Sequence, residues 1–403
     1  MATLHPFRAL RPTPEHAADV ACVPYDVIDT AEARALADGN PLSFLHVIRP
    51  EIDLPEGTDE HADAVYRQGA ENLERYAAGD ASIQEDEPSL YVYRLVMDGR
   101  AQTGIFGCVA VAEYDDDTIL KHEKTRPDKE EDRTRHILTQ RAHAEPVMLT
   151  FRDDDAIDAI VASELKNAPL YDFTAPDGIR HTIWTVTSGI ELVEAFRRVE
   201  RLYVADGHHR CKAASRASGA LRGEEGAGAE HAFFPAVLFP MGQMQILAYN
   251  RIVRRLHVPA SELLSVLADR FELRRGSGEA VPQRKGDVCL YAEGAWHTLT
   301  LPPTARDGAV DRLDVARLAE HVLEPILGIH DPRTDKNIDF VGGIRGTDAL
   351  ERLVDEGRAE LAISMYPTSV EELVDVSDAG LLMPPKSTWF EPKLRSGLLV
   401  HLF

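Results

Sequence analysis

The sequence predicts an α+β fold with mixed sheets. Strand-like and helix-like runs alternate through the first half, and hairpin turns such as Asp98-Gly99 break that alternation. Leu90 to Met97 reads as a strand that turns at Asp98-Gly99 and meets a partner at Gly104 to Tyr114. A charged loop precedes a helix expected at Glu131 to His143, and Pro146 to Phe151 is a further short apolar run. Glu191 to Glu200 is amphipathic at helical spacing and leads into a strand at Arg201 to Ala205. A helix then runs from near His208 to near Gly219, followed by a glycine-rich acidic loop over Gly223 to Glu230 and a strand over His231 to Phe239.

The pattern changes around Arg251 to Pro259, which divides the chain into a region 1–250 and a C-terminal α/β region 251–403. In the second region Val288 to Tyr291 and Trp296 to Leu301 read as paired strands and Glu360 to Tyr366 as a buried strand. Helices are expected at Val310 to Leu323, Ala349 to Glu356 and Ser369 to Asp375, ahead of a closing run Leu381 to Phe390.

A chain of 403 residues with 44% hydrophobic content is long enough to bury two domains of ordinary size. Its 44 Lys and Arg stand against 67 Asp and Glu, a formal net charge of −23 that repels nucleic acid and anionic lipid, so neither is expected as a partner. No run approaches the roughly 20 apolar residues needed to span a bilayer. Residues Met1 to Val20 carry His, Arg and Pro where a secretory signal needs an apolar core, so a cytoplasmic location is expected. Cys22, Cys108, Cys211 and Cys289 are scattered without paired spacing, which points to core residues and away from a zinc site or a disulfide framework.

The segment that carries chemistry is Asp206-Gly207-His208-His209-Arg210. It lies between the apolar strand Leu202-Tyr203-Val204-Ala205 and an alanine-rich helix, so a sharp turn aims free backbone N–H groups and the positive helix end at one point. Gly207 permits an unusual φ, while His208, His209 and Arg210 add donors suited to phosphate oxygens. Asp206 repels phosphate, which leaves it to hold Mg²⁺, fix a histidine tautomer or take a proton. The alternative arrangement is a helix capped by Asp206 with surface histidines. A zinc site on His208 and His209 is disfavoured, because adjacent helical residues point about 100° apart.

Leu202 to Arg210 resembles the nucleotide-binding motif of the ParB/sulfiredoxin-like fold, and in particular that of the free serine kinases, which phosphorylate serine with ADP or ATP. The chain as a whole resembles the bacterial family known as domain of unknown function 1015. Three further segments are similar to signatures of that family: Val23-Pro24-Tyr25-Asp26-Val27-Ile28, Lys121-His122-Glu123-Lys124-Thr125 and Met383-Pro384-Pro385-Lys386-Ser387-Thr388.

The resemblance implies a kinase using ADP or ATP with Mg²⁺, and a glutamate preceded by histidine as general base, which falls on Glu123 with His122 before it. Phosphoryl transfer to an alcohol does need a carboxylate to accept the hydroxyl proton. A salt-bridged surface loop is the other reading of that charged stretch. Lys386, Ser387 and Thr388 follow two stiffening prolines and correspond to a substrate loop, or else form a turn that packs Trp389. In the kinases basic residues follow that loop, whereas here Trp389-Phe390 stand in their place. Asp26, after Pro24-Tyr25, is a further candidate for the nucleotide site.

No GxxxxGK[ST], HExxH or GxSxG occurs, and Gly276-Ser277-Gly278 lacks the setting of a dinucleotide fingerprint. The expectation is therefore a phosphotransferase acting on a small hydroxyl metabolite. A nucleotide-binding regulatory module, or a phosphatase built on the same cradle, would use the same residues.

Overall fold

Apolar runs in the first half pair into one large sheet. The computed structural model describes residues 1–223, 229–304 and 306–403. The chain divides into two units, one formed by Met1–Met244 with Pro392–Phe403 and the other by Gln245–Glu391.

In the first unit eight strands form a mixed sheet: β1 (Tyr91–Met97), β2 (Arg100–Ala110), β3 (Ile119–Leu120), β4 (Val147–Phe151), β5 (Tyr171–Thr174), β6 (Arg180–Thr185), β7 (Leu202–Asp206) and β8 (Phe233–Pro240). Their order across the sheet is β3-β7-β4-β8-β2-β1-β6-β5. β3 and β7 run parallel, as do β4 and β8, and the remaining pairs are antiparallel. The β1–β2 hairpin turns at Asp98 and Gly99, both at positive φ (51° and 78°), the backbone a tight two-residue hairpin requires. The strand expected to run to Tyr114 stops at Ala110, where pairing with Phe233 ends and a short helix, Val111–Asp115, begins.

Helices cover this sheet because each carries an apolar stripe. Phe196, on the helix Gly189–Phe196, meets Phe151 of β4 edge-to-face at 5.1 Å, and both are fully buried. Burying side chains of this size stabilises by about 1.5–3 kcal/mol each. Two longer helices, α1 (Pro127–Gln140) and α2 (His208–Leu221), pack against each other. A smaller sheet orders the strands Ser82–Gln84, Ala9–Pro12, Val400–Leu402 and Ala142–His143, so the chain's last residues close the first unit.

The second unit holds a six-stranded sheet ordered Glu272–Arg274, Ala295–Thr300, Asp287–Ala292, Leu361–Met365, Tyr249–Val253 and Ile338–Gly342. The helix expected from Val310 starts at Asp314 and widens into a π-helical turn over Ala319–Leu323. Of the loop expected at Gly223 to Glu230, residues 224–228 lie outside the described residues. Among the described residues no helix is long and apolar enough to cross a membrane. The architecture is α+β with mixed sheets, as the alternation of strands, helices and hairpins predicts.

Candidate functional site

β7 and β3 are parallel neighbours, so their C-terminal ends open on the same edge of the sheet. In sheets of this kind the crevice beyond the strand ends is where loops from different strands meet. Here it brings the loop 121–126 beside Asp206–Arg210. The pairing of β7 with β4 slips between Val204 and Asp206, a bulge of the type that re-aims a side chain at the end of a strand.

Gly207 follows at φ +103°, a left-handed conformation that L side chains rarely adopt. A Cβ at this position would lie 3.0 Å from Arg210 Nε and 3.1 Å from a Val147 methyl. α2 then starts at His208 and runs for 14 residues, and its N-cap residue, Gly207, makes no side-chain cap hydrogen bond. Those groups and the helix dipole favour a negative charge.

Arg210 is buried, 7% exposed, and its guanidinium is committed at two of three nitrogens. Nη2 donates to Asp206 Oδ2 at 3.0 Å and Nη1 to the Pro146 carbonyl at 2.5 Å. The third, Nε, is buried without a hydrogen-bond partner and is the atom that faces Gly207. A buried donor left unmade costs about 1–3 kcal/mol, so an acceptor arriving there is stabilised.

Asp206 keeps 28% of its side chain exposed. Burial on its own raises a carboxylate pKa, but Lys393, whose Nζ is 3.6 Å from Oδ1, and Arg210 outweigh that and hold Asp206 down at about 2. It is an anion with a cation against each oxygen.

His208 is 6% exposed, and burial pushes it down to about 3 against the pull of Asp206, so the ring is neutral. Its Nε2 accepts the backbone N–H of His122 at 3.4 Å, which leaves its proton on Nδ1. His209 Nε2 likewise accepts the Arg126 backbone N–H at 3.1 Å. Both histidines thus tether the 121–126 loop to the start of α2. His122 itself is 2% exposed, and neither ring nitrogen has a hydrogen-bond partner of normal geometry, although the Val204 carbonyl is close enough to act on the ring. Glu123, the next residue, is half-buried at the same edge.

Asp26 is exposed, and its charge acts on both Arg210 and Tyr25. Tyr25 is fixed by two groups that sequence reasoning missed. Its N–H donates to Glu145 Oε1 at 3.1 Å, and its ring lies 4.0 Å beneath the Arg133 guanidinium. Glu145 also faces Arg133 at 3.6 Å and Ser396 Oγ at 3.4 Å, so one buried carboxylate ties the Tyr25 turn to α1 and to the C-terminal segment. Burial raises the pKa of Glu145, with Arg210 and Arg133 opposing. Beside Glu145, Arg133, His136 and Arg210 a cavity of about 30 Å³ has room for roughly one water. No local sequence signal marks Glu145 or Lys393, since each acts on residues distant in the chain.

Lys386, Ser387 and Thr388 belong to the second unit. Lys386 is exposed at φ 58°, with its ammonium 5.4 Å from the Tyr249 ring and its carbonyl accepting from Arg251 at 3.1 Å. Ser387 is buried and donates to the Pro384 carbonyl at 2.6 Å, while Thr388 is half-buried. These hydrogen bonds hold the turn, and next to it Trp389 meets Tyr249 edge-to-face at 5.1 Å.

The residues do not form a magnesium site of their own. Asp206 is the one carboxylate at the turn and both its oxygens face cations, and among the described residues no group of three or more His, Cys, Asp or Glu could hold a metal. The four cysteines are free and buried, and burial pushes Cys211, on α2, up to about 12, too high for a thiolate nucleophile. Chemically, the turn offers an anion a row of N–H groups, one buried guanidinium N–H and a flanking ammonium.

The family model described as "Protein of unknown function (DUF1015)" matches residues 4–316. No curated protein matches the sequence. Among solved structures, a free serine kinase in complex with AMP aligns at 12% identity and TM-score 0.38, covering 73% of this chain and 91% of that one. SbnI with a C-terminal truncation, from Staphylococcus aureus, aligns at 15% identity and TM-score 0.40, covering 74% and 87%. A conserved hypothetical protein from Pyrococcus furiosus aligns at 12% and 0.37, covering 73% and 94%. Likenesses this distant carry no argument about chemistry.

Proposed function

The chain belongs to the DUF1015 family, and from that premise we propose that it is a phosphotransferase moving a phosphoryl group from ADP or ATP to a small hydroxyl-bearing metabolite, free serine or a relative. The observation that carries the reading is the Gly207 turn: a buried, unpartnered Arg210 Nε–H beside the start of a 14-residue helix whose N-cap is a glycine at positive φ. Phosphate oxygens are strong acceptors that suit both. The backbone N–H groups of Gly207, His208 and His209 would cradle the phosphates with Arg210.

In the transfer step the acceptor oxygen bonds to phosphorus as the bond to the leaving phosphate oxygen breaks, and the hydroxyl proton passes to Glu123. Asp206 holds Arg210 in place, and neutral His122 and His208 keep the loop bearing Glu123 against the turn. Lys386, Ser387 and Thr388 orient the acceptor in this reading, and Asp26 supports Arg210 from the nucleotide side. Mg²⁺ bound to the nucleotide would supply neutralisation of phosphate charge, with none of the described residues forming a metal site by itself.

The test is a transfer assay with ADP or ATP, Mg²⁺ and a panel of hydroxyl metabolites headed by L-serine, with product read by mass spectrometry. Product is expected from the wild-type protein and none from Asp206→Ala, while Glu123→Gln keeps ADP binding and loses turnover. Full activity in Glu123→Gln removes Glu123 as the base. ADP binding without any product shifts the assignment to a regulatory module.

A further inference from the structure

Lys386 stands at φ 58°, a left-handed conformation that costs a non-glycine residue free energy and persists where its surroundings fix it. Two hydrogen bonds fix the residues around it. Ser387 Oγ donates to the Pro384 carbonyl at 2.6 Å, and Thr368 Oγ1 donates to the Ser387 carbonyl at 2.9 Å. The Lys386 carbonyl itself accepts from Arg251 Nη2 at 3.1 Å. All of these residues belong to the second unit.

Arg251 is the middle residue of the strand Tyr249–Val253, paired on one side with Phe340 and on the other with Ile363. Its backbone is therefore held within the six-stranded sheet, and the residue is 3% exposed. Nη1 donates to the Tyr249 carbonyl, and the guanidinium lies 5.5 Å from the Phe340 ring. Among the described residues no carboxylate is paired with it, and burial lowers its pKa to about 10, which leaves it charged at neutral pH. A buried charge without a counter-ion is costly, and an apolar side chain at this place in a sheet would serve the fold alone better. The charge is useful for what it holds, because a cationic donor makes stronger hydrogen bonds to carbonyls than a neutral one. One guanidinium joins the Tyr249 and Lys386 carbonyls, while the Tyr249 ring lies 5.4 Å from the Lys386 ammonium. Backbone and side chain of Lys386 are thus both set against the same strand.

We infer that Arg251 is a positioning residue of the acceptor site, whose guanidinium holds the Lys386 carbonyl and with it the Lys386–Thr388 loop. The inference rests on the reading above, in which that loop orients the acceptor, and adds to it the residue that orients the loop.

Two measurements on the full chain test it, with wild type, Arg251→Met and Arg251→Lys. The first is hydrogen exchange of the segment 386–390, read by mass spectrometry. Arg251→Met should speed exchange there about ten-fold with the segment 206–210 unchanged, and Arg251→Lys, which keeps one charged donor, should be intermediate. The second is transfer from ADP to L-serine, or to the panel alcohol that gives product in its place. Arg251→Met should raise the acceptor KM about ten-fold or more and leave ADP affinity, read by isothermal titration, as in wild type, with partial recovery in Arg251→Lys. Exchange as slow in Arg251→Met as in wild type overturns the inference, and so does faster exchange with an unchanged acceptor KM; either leaves the kinase reading standing. Faster exchange across the whole second unit, with acceptor KM and ADP affinity impaired together and no recovery in Arg251→Lys, overturns it as well, because it marks a structural role. Wild-type protein that forms no product with any alcohol of the panel removes the kinase reading and this assignment with it.

Discussion

The ring of His122 stands edge-on against the ring of His208, with centroids 4.3 Å apart and planes at 87°. Burial pushes His122 well below the ordinary imidazole value of 6.5 and holds His208 at about 3, so both are neutral when folded. Between pH 6.5 and about 3 the unfolded chain therefore binds more protons than the folded one. This contribution to stability is complete above pH 6.5 and is lost as the pH falls through that window. Urea midpoints measured from pH 7 downward should decline for the wild type and decline less steeply for His208→Gln. Identical slopes would show that the His208 ring titrates as it does in the unfolded chain.

Gly207 is expected to be intolerant of any side chain. Its φ of +103° strains any L side chain, and a Cβ there would meet Arg210 Nε at a tight 3.0 Å. Gly207→Ala should cost about 1–3 kcal/mol in urea unfolding. It should also weaken ADP binding more than that loss of stability explains, because the methyl group enters the space that phosphate is proposed to fill. Unchanged ADP affinity in the folded variant would remove the phosphate from this turn.

Arg210→Lys tests the fork. Lysine cannot reach Asp206 Oδ2 and the Pro146 carbonyl together, and it lacks the Nε–H, so the Asp206 carboxylate loses its closest cation and the buried Pro146 carbonyl its donor. A stability loss of roughly 3 kcal/mol is expected from chemical denaturation. A variant as stable as wild type would mean that Lys393 alone suffices to hold Asp206.

Much of the core is legible in the sequence because the local signals agree with the global fold. The Asp98-Gly99 turn, the apolar run of β7 and the Asp206–Arg210 turn each depend on neighbours in sequence, and period and turn chemistry report neighbours. The strand expected to reach Tyr114 shows the limit, since its end is set by where Phe233 stops pairing with Ala110. Glu145 and Lys393 show it more sharply. Glu145 reads as one acidic residue before a proline, and Lys393 as one basic residue near the end. Their importance lies in contacts with Tyr25 and Asp206, 120 residues away in the first case and farther in the second.

Glu145 should separate shape from charge. Its Oε1 accepts the Tyr25 N–H, and an amide oxygen can do the same. Burial already raises its pKa, so the charge is held at a cost. Glu145→Gln is expected to stay close to wild-type stability at neutral pH. Glu145→Ala, which leaves the Tyr25 N–H without its acceptor, should lose about 1–3 kcal/mol by urea unfolding. Equal losses in both variants would make the charge on Glu145, and not its hydrogen bond, the feature that holds the Tyr25–Asp26 turn.

Gly342 determines how Trp389, and with it the neighbouring Lys386–Thr388 loop, is seated. A Cβ at Gly342 would lie 2.7 Å from the Trp389 indole ring, a contact that only movement of the ring relieves. The indole N–H donates to Glu391 at 2.7 Å and the ring packs edge-to-face on Tyr249, so displacing it breaks a bond and a ring contact at once. Gly342→Ala is expected to destabilise by about 1–3 kcal/mol, the usual cost of overpacking. It should also shift the tryptophan fluorescence as the indole leaves its pocket. If Lys386–Thr388 orient the acceptor, the same variant should raise KM for the hydroxyl substrate and leave ADP affinity untouched. An altered ADP affinity with an unchanged acceptor KM would reassign the loop to the nucleotide.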